Sequence, residues 1–385
     1  MNKTEQDIIY LAGCAMNQIV PDRMFIEDMV LDKITTVAIH HTISSMISFA
    51  LESAGVRVEV LAEQKNKAIR KVMLLDNERQ RIFRKMDEAG IWYVPLKGVL
   101  LKEMYPIYGM RQMADNDILF DKRYGKEVKS IFQASGYMIE NFNNGNHDVY
   151  QKDPIYNYEM HRTLFDSSFP VFSEYYTQLE KKYLWDNKDV SYARHMDVND
   201  AYVYIVAHIY KHFTLSGTGI RSLMDIYMYN QHCKKQMDRE YIREQCKMLG
   251  ILEYEEKARM IAYKLFEQPL TEYSILTKEE QEYVEYYFTS GTYGTLNQRM
   301  QNEIHKLELE GSKHAEAAYI FRRLFPSVFW FRKHYRILDK CPFLIPFYGI
   351  IRLIVKPFSS WNIWTGEMKA LTRVKKSSES SGDGE

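Results

Sequence analysis

Asp115 and Asp117, separated only by Asn116, are the residues whose spacing most clearly suggests chemistry. On a strand, side chains at positions i and i+2 point to the same face, so the two carboxylates would lie side by side. Neighbouring carboxylates repel each other, and a shared divalent cation is a natural way to stabilise them. An isolated pair of this kind is more often a surface turn, so the prediction of a metal site depends on the surrounding residues.

Upstream of the pair, three residues have the chemistry that binds phosphate. Lys97 and Gly98 follow a predicted strand and begin a predicted helix. A glycine in that position lets backbone N–H groups approach a phosphate, and the lysine could add a positive charge. Arg111 could bind a phosphate through two hydrogen bonds from its guanidinium group.

Downstream of the pair, Glu159 and His161 would share one face of a predicted strand. A third acid on a neighbouring strand would complete a metal site, and Glu159 is the best candidate. Asp148 and Asp153 are nearby acids that could take its place, although each lies in a weaker strand context.

The elements that would position these residues form a block of short strands and helices. Aromatic and β-branched runs predict strands, and a cluster of Asn and Gly predicts a hairpin turn at 143–146. The predicted strands are 91–96, 117–120, 137–140, 147–150 and 156–165, with helices at 99–104 and 124–134.

Helical patterns lie on both sides of this block. Apolar spacing predicts one continuous helix over 24–54, ended by Gly55, and a second over 63–89. Further helices are predicted at 199–213, 220–233, 240–249, 253–266 and 278–288. The expected fold is therefore α+β, with a small mixed β-sheet core between helical N- and C-terminal regions. The predicted segments are a helical region 1–89, a core 90–172, a helical region 173–319, a basic aromatic-rich segment 320–376 and a disordered tail 377–385.

Taken together, the candidate residues resemble the polymerase-beta-type nucleotidyltransferase superfamily. More narrowly, they are similar to the bacterial family labelled as uncharacterised nucleotidyltransferases. The resemblance covers about residues 85–165 and extends weakly to His208, Arg221 and Asp225. It departs from the family pattern at Asn116, where an isoleucine is usual, and this side chain is expected to point away from the metal. The residues that carry the resemblance are Leu96-Lys97-Gly98, Tyr105-Pro106, Gly109, Arg111, Asp115-Asn116-Asp117 and Glu159-Met160-His161.

The resemblance implies Mg²⁺-dependent transfer of a nucleoside monophosphate from an NTP to an unknown hydroxyl acceptor, which could be a small molecule, a protein or RNA. It implies that Asp115, Asp117 and Glu159 are the catalytic acids and hold two Mg²⁺ ions. The nucleotide-binding residues it implies are Lys97, Gly98, Arg111 and His161. The alternative is a non-catalytic protein that retains the fold and binds a nucleotide or a partner.

The formal charge of the chain is a cancellation between segments. The 385 residues contain 51 Lys and Arg against 51 Asp and Glu, which excludes a uniformly basic nucleic-acid-binding protein. Residues 320–376, however, contain twelve basic and two acidic residues, interleaved with aromatic side chains. Three interpretations stay open for this segment: a packed helical subdomain, a surface for RNA or another polyanion, and peripheral attachment to an anionic membrane.

Other kinds of site receive little support from the sequence. The four cysteines lack CxxC spacing, which favours free thiols in a reducing compartment over a zinc site or disulfides. His208 and His212 have the i, i+4 spacing of a zinc helix but no accompanying ligand motif. Walker A, GxSxG and GxGxxG sequences are absent. Because neither a signal peptide nor an apolar run long enough to span a membrane is found, a cytoplasmic protein is predicted.

Overall fold

The computed structural model of the chain describes most of its residues. They are 1–185, 192–269, 275–292, 294–309, 311–312 and 314–324, together with 328, 331, 338 and 342–348. The chain divides into two compact units. The first contains Met1–Lys211 and Thr218–Thr292, and the second contains His212–Gly217 and Tyr293–Glu385. The finer division at residues 89, 172 and 319 stays a prediction.

The described part of the first unit contains a five-stranded mixed sheet in the order β1-β2-β5-β4-β3. Strand β2 pairs with β1 in the antiparallel direction and with β5 in the parallel direction, and the β3–β4 hairpin continues the sheet from β5. This arrangement confirms the predicted α+β class and the predicted hairpin. The strands are β1 Tyr93–Pro95, β2 Asn116–Phe120, β3 Met138–Asn141, β4 His147–Lys152 and β5 Tyr156–His161.

One face of the sheet is covered by helices and forms the apolar core. Ile118 of β2, Tyr150 of β4 and Tyr158 of β5 are almost fully buried there. They pack with residues of helix α5 (Glu59–Glu88) and helix α7 (Gly125–Ala134), including Leu75 and Phe132. Because side chains alternate along a strand, the intervening residues of β2, β4 and β5 point to the opposite face.

The region before the sheet is helical, but the continuous helix predicted over 24–54 is wrong. That stretch forms α2 (Arg23–Glu27), α3 (Leu31–His40) and α4 (Ser44–Ser53), after α1 (Lys3–Met16). Thr42 has a φ of 52°, in the left-handed region, and this turn separates α3 from α4. Both helices bury apolar residues, so their periodicity continues across the turn and hides it from the sequence.

Most other helices agree with the prediction. A short helix α6 (Gly98–Leu101) and a 3-10 turn (Lys102–Met104) follow β1. The helices after the sheet are α8 (Pro170–Trp185), α9 (Val198–Leu215), α10 (Arg221–Cys233), α11 (Arg239–Met248), α12 (Leu252–Phe266), α13 (Lys278–Ser290), α14 (Leu296–Leu309) and α15 (Ala315–Leu324).

The basic segment 320–376 lies largely outside the described residues, and the predicted tail 377–385 lies wholly outside them. In the part of the chain that the structure describes, no helix is both long enough and apolar enough to cross a membrane.

Candidate active site

The parallel pairing of β2 with β5 brings the predicted acids together. Asp117 lies directly opposite Glu159 in the register of the two strands, and Leu119 lies opposite His161. All of these side chains occupy the face of the sheet away from the α5 and α7 core. The sequence-predicted convergence of Asp117, Glu159 and His161 is therefore present in the structure.

Asp117 is the centre of this group. Its Oδ1 atom accepts a hydrogen bond from Lys97 Nζ at 2.7 Å and lies 2.9 Å from His161 Nε2. Glu159 Oε2 lies 3.9 Å from Lys97 Nζ and 3.7 Å from His161 Nε2. Lys97, whose side chain is 15% exposed, therefore serves both acids as a half-buried counter-ion.

The electrostatics separates Asp117 from the other acids. Burial would raise the pKa of Asp117, but the Lys97 ammonium and the hydrogen bond with His161 outweigh it and hold the pKa below the ordinary value. Burial and the negative charge of Asp117 raise the pKa of Glu159 to about 8. Asp115, which directly precedes β2, has a pKa raised to about 6 by the same two causes. The positive charge of Lys97 is therefore not enough to keep all three acids ionised.

His161 is an uncharged hydrogen-bond donor in this arrangement. Burial, with the nearby Lys97 charge, lowers the pKa of His161 to about 4. An ionised Asp117 can only accept, so the hydrogen lies on His161 Nε2. The other ring nitrogen, Nδ1, is buried without a hydrogen-bond partner among the described residues.

The backbone at Lys97 is strained. This residue has φ 44° and ψ −116°, a combination that glycine adopts easily and other residues rarely do. Such strain is retained where the surroundings hold the residue in place, and here the hydrogen bond to Asp117 and the start of α6 do so.

Three acidic or amide residues that are close to the site in sequence do not join the group of acids. Asn116 points into the core face, where its Oδ1 accepts a hydrogen bond from Arg79 at 2.9 Å, as the alternation along β2 requires. Asp148 also lies on the core side of β4, where it binds Arg162 through two hydrogen bonds of 2.9 and 2.7 Å. Asp153 is exposed in the turn after β4. Glu159 is therefore the third acid of the group.

Arg111 and Gly98 form a separate contact beside the acids. Arg111 Nε and Nη2 donate to the two carboxylate oxygens of Asp225 on α10, at 2.7 and 2.8 Å. Both side chains are buried, and Tyr105 also donates to Asp225 at 2.8 Å. A Cβ on Gly98 would lie 3.0 Å from Arg111 Nη1, so the glycine gives the guanidinium room. Phosphate binding by Arg111 and Gly98 stays a prediction.

Sequence reasoning missed two residues that face the same group. His147 of β4 lies opposite His161 in the antiparallel register with β5, and their ring centroids are 5.2 Å apart. Tyr204 of α9 is buried, and its hydroxyl group interacts electrostatically with Lys97 and Asp117. The alternation within β4 could have placed His147 on a face, but its partner depends on a register that the sequence does not state.

Most of the chain resembles a known protein family. A family model described as an uncharacterised nucleotidyltransferase matches residues 28–267, which include every residue of the candidate site. A search of curated proteins and a search of solved structures gave no significant match.

Proposed function

This chain belongs to the uncharacterised nucleotidyltransferase family, and we propose that it transfers a nucleoside monophosphate from an NTP to a hydroxyl acceptor. The observation that carries the proposal is the opposed pair Asp117 and Glu159 on adjacent parallel strands, with Asp115 beside them. Three acids on one face of a sheet form a site suited to divalent cations, and a triphosphate needs such cations to neutralise its charge.

The residues present fit Mg²⁺. The pKa values of Asp115 and Glu159, raised to about 6 and about 8, reflect burial and mutual repulsion, which a bound cation would relieve. Carboxylate oxygens are also the protein ligands that Mg²⁺ prefers. Bound Mg²⁺ would supply Lewis-acid activation of the α-phosphate and charge neutralisation of the leaving pyrophosphate. Asp115, Asp117 and Glu159 would hold the ions.

The remaining side chains would support binding and orientation. Lys97 holds Asp117 in place through a 2.7 Å contact, and its ammonium could turn to a phosphate once a cation takes its place. His161 fixes the same carboxylate oxygen from the other side. Two fixed contacts on one oxygen orient the carboxylate, which is what a precise metal geometry requires.

The test replaces both aspartates. The double variant Asp115→Ala/Asp117→Ala should lose Mg²⁺-dependent NTP binding in calorimetry, and transfer of α-labelled NTP to acceptors in a cell extract should fall at least about 100-fold. Asp153→Ala is the matched control, because it removes an exposed acid close to the site in sequence. Circular dichroism checks that each variant keeps its fold. A folded double variant that binds and turns over NTP like the wild type would contradict the proposal.

The same experiment separates the second candidate function. A non-catalytic binding protein would bind NTP in a manner that depends on Asp115 and Asp117, yet it would label no acceptor and release no pyrophosphate. The opposed carboxylates of Asp117 and Glu159, with Asp115 two positions before Asp117, favour the enzyme, since binding alone does not need a second cation.

The basic segment 320–376 is a candidate binding surface for the acceptor of the proposed transfer reaction. Residues 320–376 could bind RNA, another polyanion or an anionic membrane, because twelve basic residues alternate there with aromatic ones. Identifying which molecules from the cell extract carry the label would distinguish a small molecule, a protein and RNA as acceptors.

A further inference from the structure

His147, Glu159 and His161 form a donor set that differs from the three acids. One ligand atom from each lies within 4.8 Å of the others. We propose that these three side chains bind a divalent first-row metal ion of the Fe²⁺ to Zn²⁺ series, which they would hold in preference to Mg²⁺. The site shares Glu159 and His161 with the proposed transferase centre. A role of the bound ion in catalysis rests on the proposed function, whereas the binding of the ion does not.

The sheet builds this donor set. Glu159 and His161 are two residues apart on β5, so they project from the same face. His147 lies opposite His161 in the β4–β5 register, and the position opposite Glu159 is Val149, which supplies no ligand. Two rigid strands therefore fix all three donors, with no loop residue among them.

A neighbouring side chain orients His147 for metal binding. The Asn146 amide nitrogen lies 3.4 Å from the carbonyl oxygen of Thr163, so its Oδ1 turns toward the imidazole. His147 Nδ1 lies 3.2 Å from that oxygen, which can only accept, and the hydrogen of a neutral ring therefore lies on Nδ1. This leaves the Nε2 lone pair available for coordination. Metal-binding histidines are commonly oriented by such a bond from the other ring nitrogen.

His161 can join the same ion by changing its tautomer. Its Nε2 atom lies 3.7 Å from Glu159 Oε2 and 2.9 Å from Asp117 Oδ1, so nitrogen and carboxylate oxygens already converge. Coordination through Nε2 requires the hydrogen to move to Nδ1. Asp117 then remains close enough to supply a further oxygen ligand.

The identity of the donors determines the class of metal. Mg²⁺ prefers oxygen ligands and retains several waters, whereas imidazole nitrogen favours the later first-row ions from Fe²⁺ to Zn²⁺. A set of two imidazoles and one carboxylate therefore discriminates against Mg²⁺. The acids Asp115 and Asp117 lack this nitrogen content, so the two parts of the site would differ in preferred metal.

The test uses the full chain without a histidine tag, stripped of metal by a chelator, and Co²⁺ as the probe. We expect about one Co²⁺ to bind per chain and to show visible d–d absorption characteristic of nitrogen and oxygen ligands. Zn²⁺ should displace it, while a roughly 100-fold excess of Mg²⁺ should not. Displacement of Co²⁺ by Mg²⁺ at equal concentration would overturn the proposal.

Variants locate the ion. His147→Gln should weaken Co²⁺ binding at least about tenfold and change the absorption, because glutamine preserves size but not the imidazole. His161→Gln should act in the same direction. His232→Gln, at an exposed position on α10, is the control and should bind like the wild type. Unchanged Co²⁺ affinity in a folded His147→Gln chain would refute the site.

The two proposals fail in different ways. If the transferase proposal is wrong, either the wild type labels no acceptor or Asp115→Ala/Asp117→Ala turns over NTP like the wild type, while Co²⁺ binding still depends on His147. If the transition-metal site is wrong, His147→Gln leaves Co²⁺ binding unchanged while Mg²⁺-dependent NTP binding still depends on the aspartates.

Discussion

The Glu159 carboxyl group shares its surroundings with two other acids, Asp115 and Asp117, and with the ammonium group of Lys97. Burial and the Asp117 charge raise its pKa from 4.5 to about 8 in the folded chain. At pH values between about 4.5 and 8, Glu159 is protonated in the native state but ionised in the unfolded chain. The resulting stabilisation is fully present below about pH 4.5 and disappears as the pH rises through about 8.

Glu159→Gln should therefore change the pH dependence of stability. Glutamine stays neutral, so the metal-free variant should gain in Tm relative to the wild type as the pH rises from about 5 to about 9. Thermal melting in the presence of a chelator measures this difference. Glu88→Gln makes the same substitution at an exposed position and serves as the control. The difference between its Tm and that of the wild type should stay nearly constant over this pH range. A constant Tm difference for Glu159→Gln as well would show that the Glu159 carboxyl group is ionised in the native state over this whole pH range.

At this scale, the sequence indicates which residue types could act together but not which partners they contact. Asp117, Glu159 and His161 could be identified from the sequence because alternation along a strand places Glu159 and His161 on one face and Asp117 on that of Asp115. His147 could not, because its position opposite His161 depends on the pairing of β4 with β5. The partner of Arg111 is Asp225, 114 positions away in the chain, and no local pattern connects them.

The segment between the 3-10 turn and β2 depends on a close approach to helix α5. Gly109 has a φ of 81°, and a Cβ there would lie 2.6 Å from Ile69 Cγ1 and 3.0 Å from the Ile69 backbone. Its carbonyl oxygen accepts a 2.7 Å hydrogen bond from Ser45 on α4. This single glycine allows the segment that carries Arg111 and Asp115 to lie against two helices.

Gly109→Ala should lower the free energy of unfolding more than Gly55→Ala does. Gly55 has a similar φ of 75° but open space where its Cβ would lie, so it measures the backbone cost alone, about 1 to 2 kcal/mol. The clash with Ile69 should add roughly 1 to 3 kcal/mol at Gly109. Urea denaturation of the two variants gives the comparison. Equal losses would mean that α5 shifts to make room.

The secondary-structure elements were largely predictable from the sequence, whereas the break between α3 and α4 and the order of the strands were not. Turn residues such as Asn143 and Gly145 predicted the β3–β4 hairpin, because they favour the left-handed conformation that both adopt. The break between α3 and α4 falls at Thr42, which has no such preference and lies between two apolar stretches. Strand order across the sheet, with β5 inserted beside β2, depends on tertiary packing that spacing along the chain does not encode.

On the scale of the whole molecule, the family match starts at residue 28, yet helix α1 precedes it and forms part of the core of the first unit. Ile8, Ile9 and Leu11 of α1 are fully buried. Directly after α1, the Asn17 amide donates to the Phe266 carbonyl oxygen at 2.6 Å and accepts from Tyr227 at 2.6 Å. Helix α1 is thus joined to α10 and α12, which belong to the matched region.

Leu11→Ala should therefore destabilise the first unit as a whole. Removing a fully buried leucine side chain typically costs about 2 to 5 kcal/mol, because it leaves a cavity and loses apolar contacts. Val20→Ala, at a position that is 61% exposed, should change stability by less than about 0.5 kcal/mol. Hydrogen exchange at the β2 and β5 amides should accelerate in Leu11→Ala by the same free energy as global unfolding. Faster exchange confined to α1, with β2 and β5 unaffected, would show instead that α1 unfolds independently of the sheet that carries the acids.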